Sequence, residues 1–297
     1  MEEFKESLLI IITTPIYAII IGLEILFSFL HERHYYTTKG TLSNIYLSLL
    51  NGGLDILMRT VCLGVMFYFF QFHFVHISNP ILYWTLLLIF QDFMFYILHT
   101  VDHYVRFFWA VHVTHHSSQE FNLTVGFRSS VFQPLYRFLY FIPLALTGFD
   151  GKDVMLMYSI TQIYGILIHT QYIKKLGFVE KFLSTPSHHR VHHGSNTIYL
   201  DKNMGMVFIF WDKLFGTYQE EQEEVRYGLT KNIETYHPIK MVFHEWINIY
   251  KDCTQSNLKL KHRFMYVFGP PGWSHDGRSL TSVQMREELE QGKKANQ

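Results

Sequence analysis

Residues 8–30 read LLIIITTPIYAIIIGLEILFSFL, and a run of that length and apolarity decides the solvent in which the chain folds. About 20 helical residues suffice to cross a ~30 Å hydrocarbon layer. Comparable runs occupy 54–72, 81–98 and 154–170, and a weaker one at 131–149 is interrupted by Pro134, Arg137 and Pro143. Charged residues make up 17% of the chain, below the ~25% of soluble domains. The first run exceeds a signal-peptide core, and no small-residue cleavage site follows it. The expectation is an all-α integral membrane protein with four to five transmembrane helices. Glu24 is a costly charge inside the first run and is expected to face another helix. Asp55 and Arg59 stand four apart in the second run, a pairing distance on a helix.

Loop charges orient these helices. Arg33 and Lys39 lie in 31–40, Arg106 and Arg128 in 99–130, and Lys174 and Lys175 follow the last run. The 71–80 loop carries neither Lys nor Arg, and DGKD at 150–153 is net acidic. The positive-inside rule places 31–40, 99–130 and everything after about 171 in the cytoplasm, with the N-terminus outside. Whether 131–149 crosses or forms a re-entrant hairpin, the histidine-rich segments stay on the cytoplasmic side. Twenty-five basic residues balance twenty-five acidic ones, which leaves no basic field for nucleic acid. Cys62 and Cys253 form no CxxC pair, disulfide framework or iron–sulfur pattern.

Three histidine clusters carry the chemistry. DFMFYILHTVDH (92–103) ends in His99-x-x-x-His103, WAVHVTHHS (109–117) contains His112-x-x-His115-His116, and TPSHHRVHHG (185–194) contains His189-x-x-His192-His193. Positions i, i+3 and i+4 share a helix face, so each cluster is expected to aim its imidazoles at one locus. Asp92, Tyr96, His99 and His103 continue that logic as one stripe descending from the third span. With 18 His in 297 residues, each His-x-x-His-His match arises by chance roughly 0.06 times per chain. Eight such histidines exceed the roughly four to six ligands of one ion and suit two. A zinc protease would show His-Glu-x-x-His. HERH at 31–34 has the wrong spacing, and His244-Glu245 is followed by Asn248 where the second His would stand. A metal carrier needs ligands along a membrane path, whereas these gather at one surface.

This order of clusters on a multi-span chain is similar to the fatty acid hydroxylase/sterol desaturase superfamily of membrane di-iron oxygenases. Within it, the chain most resembles the alkylglycerol monooxygenase-like bacterial members. The resemblance rests on DFMFYILHTVDH, FFWAVHVTHHSSQEFNLTVGFRSS, ILIHTQYIKKLG and STPSHHRVHHGSNTIYLDKNMGMVFIFWDKLFGTY, and covers most of 20–220. It implies two Fe ions, with zinc able to replace them on isolation. It also implies O₂-dependent hydroxylation of a lipid C–H bond, with glyceryl ether cleavage as one form. Lipid desaturation and zinc-dependent hydrolysis are the alternatives. No flavin, dinucleotide or iron–sulfur motif is visible, so two electrons must come from a separate donor: a ferredoxin, a cytochrome or a reduced pterin such as tetrahydrobiopterin. The resemblance adds His169 in ILIHT as a ninth ligand beside His99, His103, His112, His115, His116, His189, His192 and His193. One departure stands out, because the resembling members carry Glu directly after the first cluster and this chain has Tyr104.

Metal-bound imidazoles need acceptors for their free N–H groups, and Asp92, Asp102, Glu120 and Asp201 are the carboxylates near enough in sequence. Asp92, Glu120 and His188 are therefore the candidate catalytic residues, His188 as a ligand, a donor to a ligand or a proton shuttle. FIFWDKLFGTY (208–218) is expected either to lie at the membrane interface as a lid or to fold under the metal site. The expected organisation is 1–98 as N-terminal transmembrane helices, 99–220 as the histidine-box catalytic domain with a membrane hairpin, and 221–297 as a cytoplasmic tail without chemistry. Such a multi-pass protein belongs in a bacterial inner membrane, or in the endoplasmic reticulum of a eukaryote, with its site toward the cytoplasm.

Overall fold

The computed structural model describes residues 2–295; Met1 and the last two residues, which close the 1–98 and 221–297 divisions, lie outside it. Three long apolar helices come first: α1 (Glu2–Leu30), α2 (Thr38–Phe70) and α3 (Pro80–Tyr104). Thr37 starts α2 by accepting from Gly40 N at 3.0 Å. Asn79 starts α3 by accepting from Ile81 N and Leu82 N, both at 3.0 Å, with Pro80 in the first turn, where its missing N–H costs nothing. Extended backbone at Val105 then breaks the chain into α4 (Arg106–His116). Six further helices follow: α5 (Ile142–Leu146), α6 (Gly151–Leu167), α7 (Pro186–His192), α8 (Phe210–Phe215), α9 (Pro238–Cys253) and α10 (Leu260–Phe268). The described chain ends in α11 (Ser282–Ala295). Among the described residues there is no strand, only two isolated bridges, Leu183 with Phe208 and Gly194 with Tyr227.

Among the described residues, three helices are long and apolar enough to cross a membrane: Ile11–Leu30, Thr38–Phe70 and Pro80–Tyr104. Only 11% of the apolar window is buried within the protein in each of the first two, against 33% in the third. Side chains such as Ile19, Phe29, Leu49 and Leu57 therefore face outward, as lipid-facing surface does. The 131–149 run does not form a rod. It breaks into two 3₁₀ turns, Gln133–Leu135 and Arg137–Phe141, before the five residues of α5, because its prolines remove helix donors. At 17 residues, α6 rises ~25 Å, short of a full crossing.

The buried core lies between α2, α3, α5 and α6, around Met66, Leu87, Leu98, Phe141, Leu144 and Val154. At one end, Phe74 N donates to Leu146 O at 3.1 Å, and Tyr83 Oη meets Asp153 and Asp150 N, both at 2.9 Å. The 71–79 loop and the 147–153 turn thus sit together, away from the histidines, and His73 belongs to that end. At the other end Glu24 is buried, but it meets loops where another helix was expected: it accepts from Leu123 N at 3.0 Å and from Tyr36 and Thr170. Asp55 meets Arg137, a partner from the broken hairpin.

The segment after 220 is packed, not pendant. Met241 and Val242 of α9 join Leu47 and Val131 in a second buried cluster. Arg106 and Arg128, which count as loop charges in the sequence, are both buried. Arg106 bonds Glu245 at 2.7 Å and Asp252 at 2.8 Å, fastening α4 to α9.

Candidate metal centre

All nine sequence-predicted ligands converge, in two groups of closely spaced nitrogens. One contains His99 and His103 from α3, His112 and His116 from α4, and His192 from α7; the other contains His115, His169, His189 and His193. Within each group the ligand atoms lie within 4.8 Å of one another. The groups are adjacent, with the His116 and His193 rings stacked at 4.4 Å. The expectation that each cluster serves one locus needs correction here. In both His-x-x-His-His clusters the i and i+4 members go to one group and the i+3 member to the other. At ~100° per residue, i+4 lies roughly 40° to one side of i and i+3 roughly 60° to the other. A helix wedged between two groups divides its imidazoles in this way.

Hydrogen bonds fix which nitrogen faces inward. Nδ1 donates to Met204 O from His99 (2.8 Å), to Arg128 O from His115 (2.6 Å), to Gly165 O from His169 (2.7 Å) and to Lys202 O from His192 (3.0 Å). His103 Nδ1 donates to the Asp201 carboxylate at 3.1 Å, and His112 Nδ1 shares a hydrogen bond of 2.9 Å with Ser130 Oγ. A neutral imidazole protonated at Nδ1 carries its lone pair at Nε2. Those lone pairs converge: His99 and His112 Nε2 stand 3.0 Å apart, and His169 Nε2 stands 2.9 Å from His189 and 3.2 Å from His193. His103 Nε2 and His192 Nε2 are buried with no hydrogen-bond partner.

Burial first, and the neighbouring imidazoles second, hold His112, His116, His189 and His193 well below the ordinary histidine range. They are neutral at pH 7, which is the form that binds metal. Buried bare nitrogens aimed at a shared point fit a cation, and imidazole sets of this kind accept iron or zinc. Asp201 stays ionised: burial pushes its pKa up, but hydrogen bonds from His103 and Ser282 bring it below the usual value.

The family model for fatty acid hydroxylase matches residues 84–217, a span that begins in α3 and ends just past α8. Residues 84–217 are a fatty acid hydroxylase domain. The chain is 42% identical to human alkylglycerol monooxygenase over 183 residues, 61% of this chain and 40% of that protein. It is 32% identical to the zebrafish (Danio rerio) alkylglycerol monooxygenase over 222 residues, 74% of this chain and 49% of that one. It is also 28% identical to an ornithine lipid hydroxylase of Rhizobium tropici over 132 residues, covering 44% and 40%. The chain thus spans two fifths to one half of the length of these curated relatives. No solved structure matches it.

Three predicted residues of this hydroxylase domain or its flanks stand outside the two groups. The buried carboxylate of Asp92 accepts from Val207 N (2.9 Å), Phe208 N (3.1 Å) and Trp211 Nε1 (3.1 Å), so it grips the chain behind the site and meets no imidazole. Glu120 accepts from Thr37 N at 3.2 Å and from the Thr37 hydroxyl at the start of α2. His188 sits at the third position of α7, where its ring accepts from Thr185 N at 3.3 Å in a capping box. The sequence signal was available: TPSH is a Thr cap and a first-turn proline, with His in the place of the usual Glu or Gln. Asp102 accepts from Gln133 and Tyr136, both at 2.7 Å, and lies 3.8 Å from His112 Nδ1. The 208–218 segment folds against α3, with Trp211 4.5 Å and Phe215 6.0 Å from Phe93.

Sequence reasoning missed most of the acceptors, because they are backbone carbonyls. It also missed a cavity of about 670 Å³ that reaches His103, His116, His192 and His193. Its outer wall comes from the tail, including His244, Asn248 and Met285. Trp109 lines it and stands 5.2 Å from the His103 ring and 5.6 Å from His116.

Proposed function

We propose that this protein is a membrane-bound di-iron oxygenase that hydroxylates a lipid C–H bond, with the nine histidines holding two ions as five and four ligands. The observation that carries this reading is the pair of buried Nε2 clusters whose opposite Nδ1 atoms are tied to acceptors. Bound iron would activate O₂ for attack on an unactivated C–H bond, with two electrons from a separate reductant. The chain's own part is orientation. The carbonyls of Met204, Arg128, Gly165 and Lys202 and the Asp201 carboxylate hold each ring in one tautomer. Outward apolar faces on α1–α3 hold the protein in the bilayer, where a lipid substrate lies, and the likeness to alkylglycerol monooxygenase favours a glyceryl ether. The 670 Å³ cavity has the size of a small-molecule site, and its wall mixes polar and apolar surface, with Arg106, Asp201, Lys231 and Glu245 among the groups that line it. It has room for a soluble reductant, for which tetrahydrobiopterin, implied by the family resemblance, is the candidate. On this reading the protein is multi-pass, the histidine end faces the cytoplasm, and the catalytic unit is 99–220 with 221–297 closing over it.

Incubation of the iron-loaded protein with an alkylglycerol, reductant and ¹⁸O₂ tests the proposal. The expected product carries one labelled oxygen, either as an alcohol or as a hemiacetal that collapses to an aldehyde. The aldehyde exchanges oxygen with water and must be trapped at once, or judged by O₂ dependence. Anaerobic turnover, or oxygen taken from water, would establish hydrolysis instead, and loss of two hydrogens without oxygen would establish desaturation.

A further inference from the structure

One short loop orients most of the five-histidine group. Asp201, Lys202 O and Met204 O receive the Nδ1 protons of His103, His192 and His99, respectively. The 200–205 loop achieves this with two left-handed residues, Asp201 at φ 52° and Asn203 at φ 56°. Asp and Asn enter this region more readily than other side-chain-bearing residues, and two of them in three positions are held there by their surroundings. Two restraints come from nearby chain. Asp212 accepts from Met204 N at 2.6 Å and Gly205 N at 2.9 Å. Asn203 bonds the Gln219 backbone at 2.8 and 2.9 Å.

The third restraint comes from α11, outside the hydroxylase domain. Ser282 donates its hydroxyl to the Asp201 carboxylate oxygen opposite the one that meets His103. Arg286 Nη1 donates to Leu200 O at 2.6 Å. Tyr104, at the position where the resembling proteins carry glutamate, lies beside Arg286. Among the described residues the four-histidine group has no bond to α11: His115 and His169 donate to Arg128 O and Gly165 O, and the outside chain near this group is 221–227, where Tyr227 pairs with Gly194.

We infer that α11 is a latch on one metal only, with Ser282 and Arg286 as positioning residues that act through the 200–205 loop on His103, His192 and His99. This rests on the reading that each group holds one ion. Without the latch, Asp201 is free to leave its left-handed conformation and His103 Nδ1 loses a fixed acceptor. The four-histidine ion does not feel the change.

The test uses the full chain, purified anaerobically in detergent and loaded with ferrous iron. Total iron comes from elemental analysis, and release is followed with a colorimetric chelator. Wild type is expected to hold two ions. In Ser282→Ala/Arg286→Met one ion should leave roughly 10-fold faster while the other keeps its rate, and Ser282→Thr should restore the wild-type trace. In a His189→Ala background, which disables the four-histidine group, the latch variant should still speed the remaining ion. In a His103→Ala background it should change nothing. Equal release from variant and wild type overturns the latch, and so does acceleration of both ions together, which marks general loosening. Should the double variant fail to fold, Ser282→Ala alone keeps the Arg286 bond and is read against the same two outcomes. A wild-type chain that holds one ion refutes the two-ion reading and leaves the latch to be judged on that single release rate.

Discussion

The two histidine groups have the same ligand chemistry and different foundations. The five-histidine group leans on a loop with two left-handed residues, held partly by the C-terminal helix. The four-histidine group leans on carbonyls at Arg128 and Gly165, the first braced by its own buried guanidinium. That guanidinium donates to Thr114 O (2.7 Å), Ser117 (2.7 Å), Asn44 (3.0 Å) and Ser43 (3.1 Å). Burial lowers its pKa to about 10, which leaves it charged at neutral pH. On the two-ion reading, then, imidazole chemistry common to both groups would not distinguish how firmly each ion is held, and the parts of the chain that own the Nδ1 acceptors would.

The sharpest way to break this comparison uses neighbours in sequence. His192 and His193 are adjacent but belong to different groups. His192→Ala and His193→Ala should each lose one of two ions by elemental analysis, and each should lower O₂-dependent product by more than about 100-fold, because removing a ligand costs more than loosening its support. Both variants should still insert, since the apolar faces of α1–α3 do not depend on the histidines. If either single change empties both groups, the two are one cooperative site and the comparison fails.

Arg128 tests the firmer foundation. Arg128→Met leaves four acceptors without their donor, at about 1–3 kcal/mol for each one that stays buried and unsatisfied. The thermal midpoint in detergent should fall by several degrees, and ion release from the four-histidine group should quicken through His115. Arg128→Lys should rescue little, because a point charge cannot serve the four directions of a guanidinium fork. If iron release is unchanged while stability falls, Arg128 supports the fold and not that group.

Which of these supports could be read from the sequence follows from what carries a residue signature. The converging histidines were legible because clustered imidazoles are rare and their spacing is regular, with His169 supplied by family resemblance. The long helices were legible because composition alone requires them. The tail was expected as an appendage and its packing went unread, although Met241, Val242, Glu245 and Ile249 fall on one face of α9 and could have signalled it. The acceptors were not, since every residue owns a carbonyl and nothing in Lys202, Met204 or Gly165 marks its own as the one used. Asp92 misled because it shares a stripe with His99, yet its carboxylate is taken up by the backbone of 207–208. Side-chain periodicity says which face a residue occupies, but not which partner reaches that face first.

The smallest expected effect concerns Glu120, three residues past the second cluster's last neighbour, Ser117. Its carboxylate sits at the first turn of α2, close enough that a Cβ on Gly40 would stand 2.6 Å from both of its oxygens. A negative charge there is favourable by about 0.3–1 kcal/mol. Glu120→Gln keeps an oxygen to accept from Thr37 and removes the charge, so stability should drop within that range while both ions and the turnover rate stay at wild-type values. The substitution also probes the four-histidine group, because the next residue, Phe121, stacks on His169 with ring centroids 5.5 Å apart and lies 5.2 Å from His193. If Glu120→Gln changes ion release from the four-histidine group, then the 31–40 turn reaches that group through Phe121. It would then have a second outside tie beside Tyr227, whose ring stacks on Phe121 at 4.9 Å, and the contrast between the two foundations would be one of degree.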